Sequence, residues 1–277
     1  MKQTTLTYED TKRGSLILVN PKCELSKTGR AENLLWVTRK GMPALRISPA
    51  TGCLCGDAAV GNDLVLESET ARMLSRLLSE LESRGRIILV SGYRSHEEQV
   101  RIWEDTWERE GEAFTRTYVA EPGHSEHESG LAVDLAENRA HIDFIRPEFP
   151  RTGICQEFRR RAARYGFIER YPAGKETVTG IGAEPWHFRY VGVPHSLAMK
   201  REGTVLEEYL SFLRENTSPQ SPYLCFGPEA GVCTEIFYLP VERGKNRVLS
   251  CPADGTLWFS GTNEGGVVGC RRRSLYG

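Results

Sequence analysis

Between residues 67 and 84, apolar side chains recur at three- and four-residue intervals, at Ala71, Leu74, Leu77, Leu78 and Leu81. That spacing is one face of a helix, and Gly85 ends it. The short apolar run 86–91 reads as a strand. Ser95 with Glu98 three positions later is a capping box, so a second helix opens right after the tight Gly92-Tyr93-Arg94 segment. Arg94 and Gln99 therefore fall near one helix N-terminus. Upstream, 15–19 (Ser-Leu-Ile-Leu-Val) looks like a buried strand closed by an Asn20-Pro21 turn, and the chain from there to about 62 is loop-rich.

Further along, 130–135 is a strand candidate, and 154–165 is a helix candidate stopped by Gly166. Two more strands are expected at 167–171 and 186–191, joined by a glycine-rich connection over 172–182. Thr204 and Glu207 make another capping box, opening a helix that runs to about 215. Helices and strands that do not alternate regularly predict an α+β fold, with an antiparallel central sheet flanked by helices. Residues 216–222, Asn-Thr-Ser-Pro-Gln-Ser-Pro, read as a linker. Beyond it, short apolar runs at 234–241, 246–252, 256–261 and 265–270 are separated by turn residues such as Asp254-Gly255 and Asn263-Glu264-Gly265. The expected organisation is a main domain over 1–215, a linker over 216–222 and a small all-β appendage over 223–277.

Composition narrows the classes. The chain has 277 residues, 39% hydrophobic and 26% charged, with no long uncharged apolar run to span a membrane. With 36 basic against 37 acidic residues, no overall field favours nucleic acid or an anionic lipid surface. The basic runs at 159–161 and 271–273 read as solvated faces. The N-terminal stretch has charges without the apolar core of a secretory signal, which predicts a cytoplasmic protein. In that setting the 8 cysteines read as thiols, and the Cys53-Leu-Cys55 pair lacks the spacing of a zinc knuckle.

The chemistry concentrates in two stretches. Residues 122–134, Pro-Gly-His-Ser-Glu-His-Glu-Ser-Gly-Leu-Ala-Val-Asp, set His127 seven positions before Asp134 at the mouth of a strand. On an unbroken strand that odd offset would send the two to opposite faces, so a shared metal needs a bend near Ser129-Gly130. The second stretch is Glu184-Pro185-Trp186-His187, where the proline is expected to leave Glu184 on the loop leading into a strand, with His187 as third ligand. Two histidines and a carboxylate leave a tetrahedral zinc one open position for water, and a nearby glutamate can take that water's proton. His96, His124, His141 and His195 fall outside this pattern.

Three segments carry a family resemblance: Ser-Gly-Tyr-Arg-Ser at 91–95 with Gln99, the stretch 122–135, and Glu-Pro-Trp-His-Phe-Arg-Tyr-Val-Gly at 184–192. In that order they resemble the signatures of bacterial zinc D-alanyl-D-alanine carboxypeptidases of the VanY and VanXY types. Those are related to VanX dipeptidases and more distantly to hedgehog and lysostaphin-type domains. The resemblance runs from about 15 to about 212, including Arg-Tyr-Pro-Ala-Gly-Lys at 170–175. It implies a zinc cleft with one Zn2+ per chain on His127, Asp134 and His187, and Glu184 as general base and then proton donor. Arg94 would steady the negative oxygen of the tetrahedral intermediate. Ser125 and Gln99 would hold substrate, and Trp186 would wall the pocket. The implied substrate is a peptidoglycan precursor ending in D-Ala-D-Ala, with the free dipeptide as a further candidate. A peptidoglycan endopeptidase and a non-catalytic zinc-binding module are the alternative readings.

Overall fold

The computed structural model describes residues 2–31, 33–37, 64–227, 231–251 and 257–274. In chain order the elements are β1 (Lys2–Leu6), β2 (Leu34–Trp36), β3 (Val65–Glu67), α1 (Ser68–Glu80), β4 (Ile87–Ser91), α2 (His96–Glu110) and α3 (Glu112–Tyr118), then β5 (Ala132–Glu137), α4 (Gly153–Ala162), β6 (Phe167–Tyr171), α5 (Glu176–Thr179) and β7 (Glu184–Tyr190). They continue with α6 (His195–Glu202), α7 (Leu206–Asn216), β8 (Tyr223–Phe226), β9 (Val232–Pro240), β10 (Arg247–Cys251), β11 (Leu257–Gly261) and β12 (Gly266–Ser274). Cys53, Cys55 and the Asp254-Gly255 turn lie outside the described residues.

The expected α+β fold is the one observed. Its centre is an antiparallel sheet in the order β4-β5-β7-β6. Side chains alternate across such a sheet. Val133 and Leu135 of β5 and Trp186 and Phe188 of β7 enter one core with Leu74 and Leu77 of α1 and Phe158 of α4. The intervening Asp134 and His187 are directly paired in the register, so alternation delivers both to the opposite face, side by side. The packing that buries the helices thus also sets the spacing of two chemically important groups. Phe158 anchors this core in edge-to-face contact with Phe188 at 4.8 Å and Phe149 at 5.6 Å.

The C-terminal strands form a second antiparallel sheet, β11-β12-β9-β8, while β10 pairs with the N-terminal β1. This sheet shares a core with the rest of the chain: Cys225, Ile236, Val268 and Cys270 pack with Leu16, Leu18, Met199, Leu206 and Leu210.

Several local expectations are revised. Residues 16–19 are buried and Ser15 is half-buried, but 15–19 is not a strand; the carbonyls of Ser15 and Ile17 instead accept from the Arg189 guanidinium. Glu184 is the first residue of β7, not part of a preceding loop. The ladder tolerates Pro185 because pairing with β5 begins only at His187, and the β6 register shifts between Glu169 and Tyr171. At the start of α7 the capping pair is displaced by one: Glu208 accepts from the Val205 N–H at 3.0 Å, leaving Glu207 for another use. The run 159–161 is not wholly solvated, because Arg159 is buried and donates to the carbonyls of Phe149, Pro150 and Pro185. In the other basic run, Arg271 and Arg273 pair with Glu235.

Candidate metal centre and active-site cleft

Three elements converge on the cleft. His127 lies in a single 3-10 turn, Glu126–Ser129, that runs into β5. Gly130 closes the turn with φ of 72°, and an added Cβ there would sit 3.0 Å from the Glu67 nitrogen. Only glycine supplies that left-handed conformation without strain, and this is the bend required to bring His127 over Asp134. His127 Nδ1 meets the Gly92 carbonyl at 2.7 Å, and its own carbonyl accepts from the Arg94 N–H. The Gly92–Arg94 segment therefore orients the imidazole from outside.

His127 Nε2 is 3.1 Å from Asp134 Oδ2, and His187 Nδ1 is 2.9 Å from Asp134 Oδ1. One donor atom from each residue lies within 4.8 Å of the others, and all are buried. The edge of a tetrahedron with bonds of about 2.0 Å is roughly 3.3 Å, so the spacing suits a small divalent ion such as zinc. The other ring nitrogens are both engaged, His127 Nδ1 by a backbone carbonyl and His187 Nε2 by Glu126 Oε2 at 3.3 Å. Metal-binding histidines are held in this way, and the arrangement would let the nitrogens facing Asp134 donate lone pairs to a metal.

Glu184 Oε2 is 3.7 Å from His187 Nδ1. Burial, reinforced by Asp134 and Glu126, pushes its carboxyl up to about 8 against the pull of His187 and Arg94. Burial also lowers His127, to about 4, with Arg94 adding to the effect. For His187 burial acts downward, but hydrogen bonds to Asp134 and Glu126 outweigh it and raise the group to about 9. Asp134 is held well below the usual carboxylate range: burial opposes ionisation, and the two imidazoles overcome it.

Arg94 reaches the same space. Its Nη2 is 3.6 Å from Asp134 Oδ2, Nε donates to Ser91 Oγ at 3.2 Å, and Nη1 donates to Gln99 Oε1 at 3.0 Å. Gln99 is fully buried and spends its amide N–H on the Ala120 carbonyl at 2.7 Å. It stands behind Arg94 rather than on the cleft wall. The lining does include Arg94, Ser125, His127, Asp134, Glu184, Trp186 and His187. Trp186 also belongs to the main core, so it serves packing and wall together. Tyr171, absent from the expected set, also lines the cleft, its ring 4.9 Å from that of His187. Glu126 lines it too, and neither residue was assigned a role from sequence although both stand inside the segments quoted above. Among the other histidines, His96 meets Glu128, His124 meets the Asn20 carbonyl and His195 is buried against Tyr209.

Two imidazoles and a carboxylate gathered in one cleft, with a buried glutamate and a guanidinium beside them, make a donor set that could hold a divalent ion with a position left open. Residues 63–193 match the VanY family, D-alanyl-D-alanine carboxypeptidase. The chain is 41% identical over 155 residues to the bifunctional D-Ala-D-Ala dipeptidase and D-Ala-D-Ala carboxypeptidase VanXYC of Enterococcus gallinarum, covering 56% of this chain and 82% of that protein. Its fold matches the vancomycin resistance D,D-dipeptidase VanXYg, solved with a D-Ala-D-Ala phosphinate analogue, with a TM-score of 0.86, 37% identity, and coverage of 98% of this chain and 99% of that one. A VanB-type VanY D,D-pentapeptidase solved with Zn(II) matches with a TM-score of 0.50 and 30% identity, covering 71% of this chain and 98% of that one. The chain belongs to the VanY D-alanyl-D-alanine carboxypeptidase family. Among the described residues, no helix is long and apolar enough to cross a membrane.

Proposed function

We propose that this protein is a zinc-dependent D,D-carboxypeptidase that hydrolyses the terminal D-Ala from peptidoglycan precursor peptides ending in D-Ala-D-Ala, acting in cell-wall metabolism and glycopeptide resistance. The observation that carries the reading is the convergence of His127, Asp134 and His187 in one cleft with Glu184 and Arg94 beside them. In this reading His127 Nε2, an Asp134 oxygen and His187 Nδ1 would hold one zinc ion. Bound zinc supplies Lewis acidity, polarising the scissile carbonyl and lowering the pKa of water to about 7.

With a divalent cation beside it favouring the ionised carboxylate, Glu184 would accept a proton from the attacking water and return it to the departing D-alanine amine. Its buried position keeps bulk water from competing for that proton. Arg94, fixed by Ser91 and Gln99, presents a cation to the oxygen that becomes negative as the carbonyl carbon turns tetrahedral. The Ser125 hydroxyl offers a hydrogen bond to substrate, with Gln99 acting through Arg94, while Trp186 and Tyr171 wall the pocket. The whole-length likeness to a D,D-dipeptidase supports free D-Ala-D-Ala as a second substrate. The proposal includes a cytoplasmic site of action, which cell fractionation tests. For the activity itself, D-alanine release is measured from UDP-muramyl-pentapeptide and from free D-Ala-D-Ala. Release from the first establishes the carboxypeptidase, the ratio of the two fixes its subtype, and release from neither overturns the reading.

A further inference from the structure

At the cleft floor lies a buried ionic cluster that takes no part in the proton transfers of the proposed function. Glu126 is fully buried, and its Oε1 accepts from Arg170 Nε at 2.8 Å and from Arg189 Nη1 at 2.6 Å. Both guanidiniums are inaccessible to solvent. Arg170 continues to Glu207 of α7 through two bonds of 2.7 and 2.8 Å, and Asn20 caps the same carboxylate at 3.1 Å. Arg189 Nη2 is held by the carbonyls of Ser15 and Ile17 at 3.0 and 2.9 Å. With one oxygen gripped by two anchored cations, the Glu126 carboxylate cannot swing. Its remaining oxygen, Oε2, is left 3.3 Å from His187 Nε2.

We propose that Glu126 is a positioning residue that fixes the ring orientation and tautomer of His187, and so prepares the metal site of the proposed function, on which this inference rests. A carboxylate engaged with two guanidiniums carries no proton and can only accept. The imidazole nitrogen facing it must therefore bear the hydrogen. A metal would displace the proton on the side of Asp134 and Glu184, so that the single N–H of the neutral ring stays on Nε2 and Nδ1 gives its lone pair to the metal. The ring has little freedom to turn, because Tyr171 packs at 4.9 Å and is itself covered by Arg170 at 4.9 Å.

The substitution Glu126→Gln inverts this arrangement. Its amide oxygen satisfies the arginines, which leaves an NH2 group facing His187 Nε2. That nitrogen must then accept, the proton moves to Nδ1, and the ligand lone pair is lost. The comparison variant is Glu207→Gln, which also removes a carboxylate from Arg170 but does not touch His187.

The test measures zinc affinity by competition with a chromophoric chelator for the wild type and both variants. It is paired with proton–nitrogen spectra of the zinc-loaded wild type carrying 15N-histidine. Glu126→Gln is expected to weaken zinc binding about 10–100-fold, and Glu207→Gln by less than about threefold. The wild-type spectrum is expected to show a downfield, slowly exchanging Nε2–H signal from His187. Unchanged affinity in Glu126→Gln, equal weakening in both variants, or a His187 signal showing Nδ1–H overturns the proposal. Should Glu126→Gln fail to fold, the wild-type spectrum decides alone. A wild type that binds no zinc overturns the metal site itself, whereas tight wild-type binding with an unaffected Glu126→Gln overturns only the role of Glu126.

Discussion

Replacing His195 with glutamine separates one titration from all the others and asks whether the C-terminal sheet is integral to the fold. His195 begins α6, with Nδ1 2.9 Å from the Tyr209 hydroxyl of α7 and Nε2 3.4 Å from Cys270 Sγ of β12. Burial in this seam lowers its pKa from 6.5 to about 3. Because the folded-state value lies below the unfolded one, the stability tied to neutral His195 is fully present above pH 6.5 and is lost as pH falls toward 3. One unit is worth about 1.4 kcal/mol, so the step from pH 7 to pH 5 costs about 2 kcal/mol through this residue. Glutamine has no titration and can still bond to both neighbours. Urea unfolding at the two pH values is expected to show the wild type losing about 2 kcal/mol more than His195→Gln. The groups common to both proteins cancel in that difference. Equal losses in the two proteins would refute the reasoning, and would mean that the seam opens or admits water before the imidazole charges.

Two further outcomes follow from the cleft and the core. Arg94→Lys keeps the charge but cannot serve Ser91, Gln99 and the cleft at once, so kcat is expected to fall about 10²–10³-fold with a much smaller change in KM; steady-state kinetics on an acyl-D-Ala-D-Ala peptide measure both. Phe158→Ala removes a fully buried ring from between Phe149 and Phe188 and is expected to cost about 3–5 kcal/mol in urea unfolding.

The convergence of His127, Asp134 and His187 was legible because they cluster in short motifs whose geometry is local. A glycine after His127 announces the bend, and alternation about Val133–Leu135 and Trp186–Phe188 places Asp134 and His187 on one face. The capping box at Ser95 was equally local, and α2 begins where it says. What sequence could not give is pairing over distance. Glu126 meets Arg170 and Arg189, 44 and 63 positions away, and the usual prior for such charges is exposure. The same reason explains 15–19: its apolar run announces burial, but whether its carbonyls meet a strand or Arg189 depends on a residue 172 positions further on. At α7 the sequence pairs Thr204 with Glu207, but Glu208 takes the Val205 N–H while Glu207 bonds Arg170 from another element. The strand β1, which pairs with β10 at the far end of the chain, had no local apolar signature.

The most direct test of the central claim combines metal and base in one assay of D-alanine release from an acyl-D-Ala-D-Ala tripeptide. The account expects one zinc per chain and activity that disappears on chelation and returns with zinc. It further expects Glu184→Gln to retain zinc while losing at least about 10²-fold in kcat. Release that survives chelation, or that persists at the wild-type rate in a zinc-loaded Glu184→Gln protein, would contradict it.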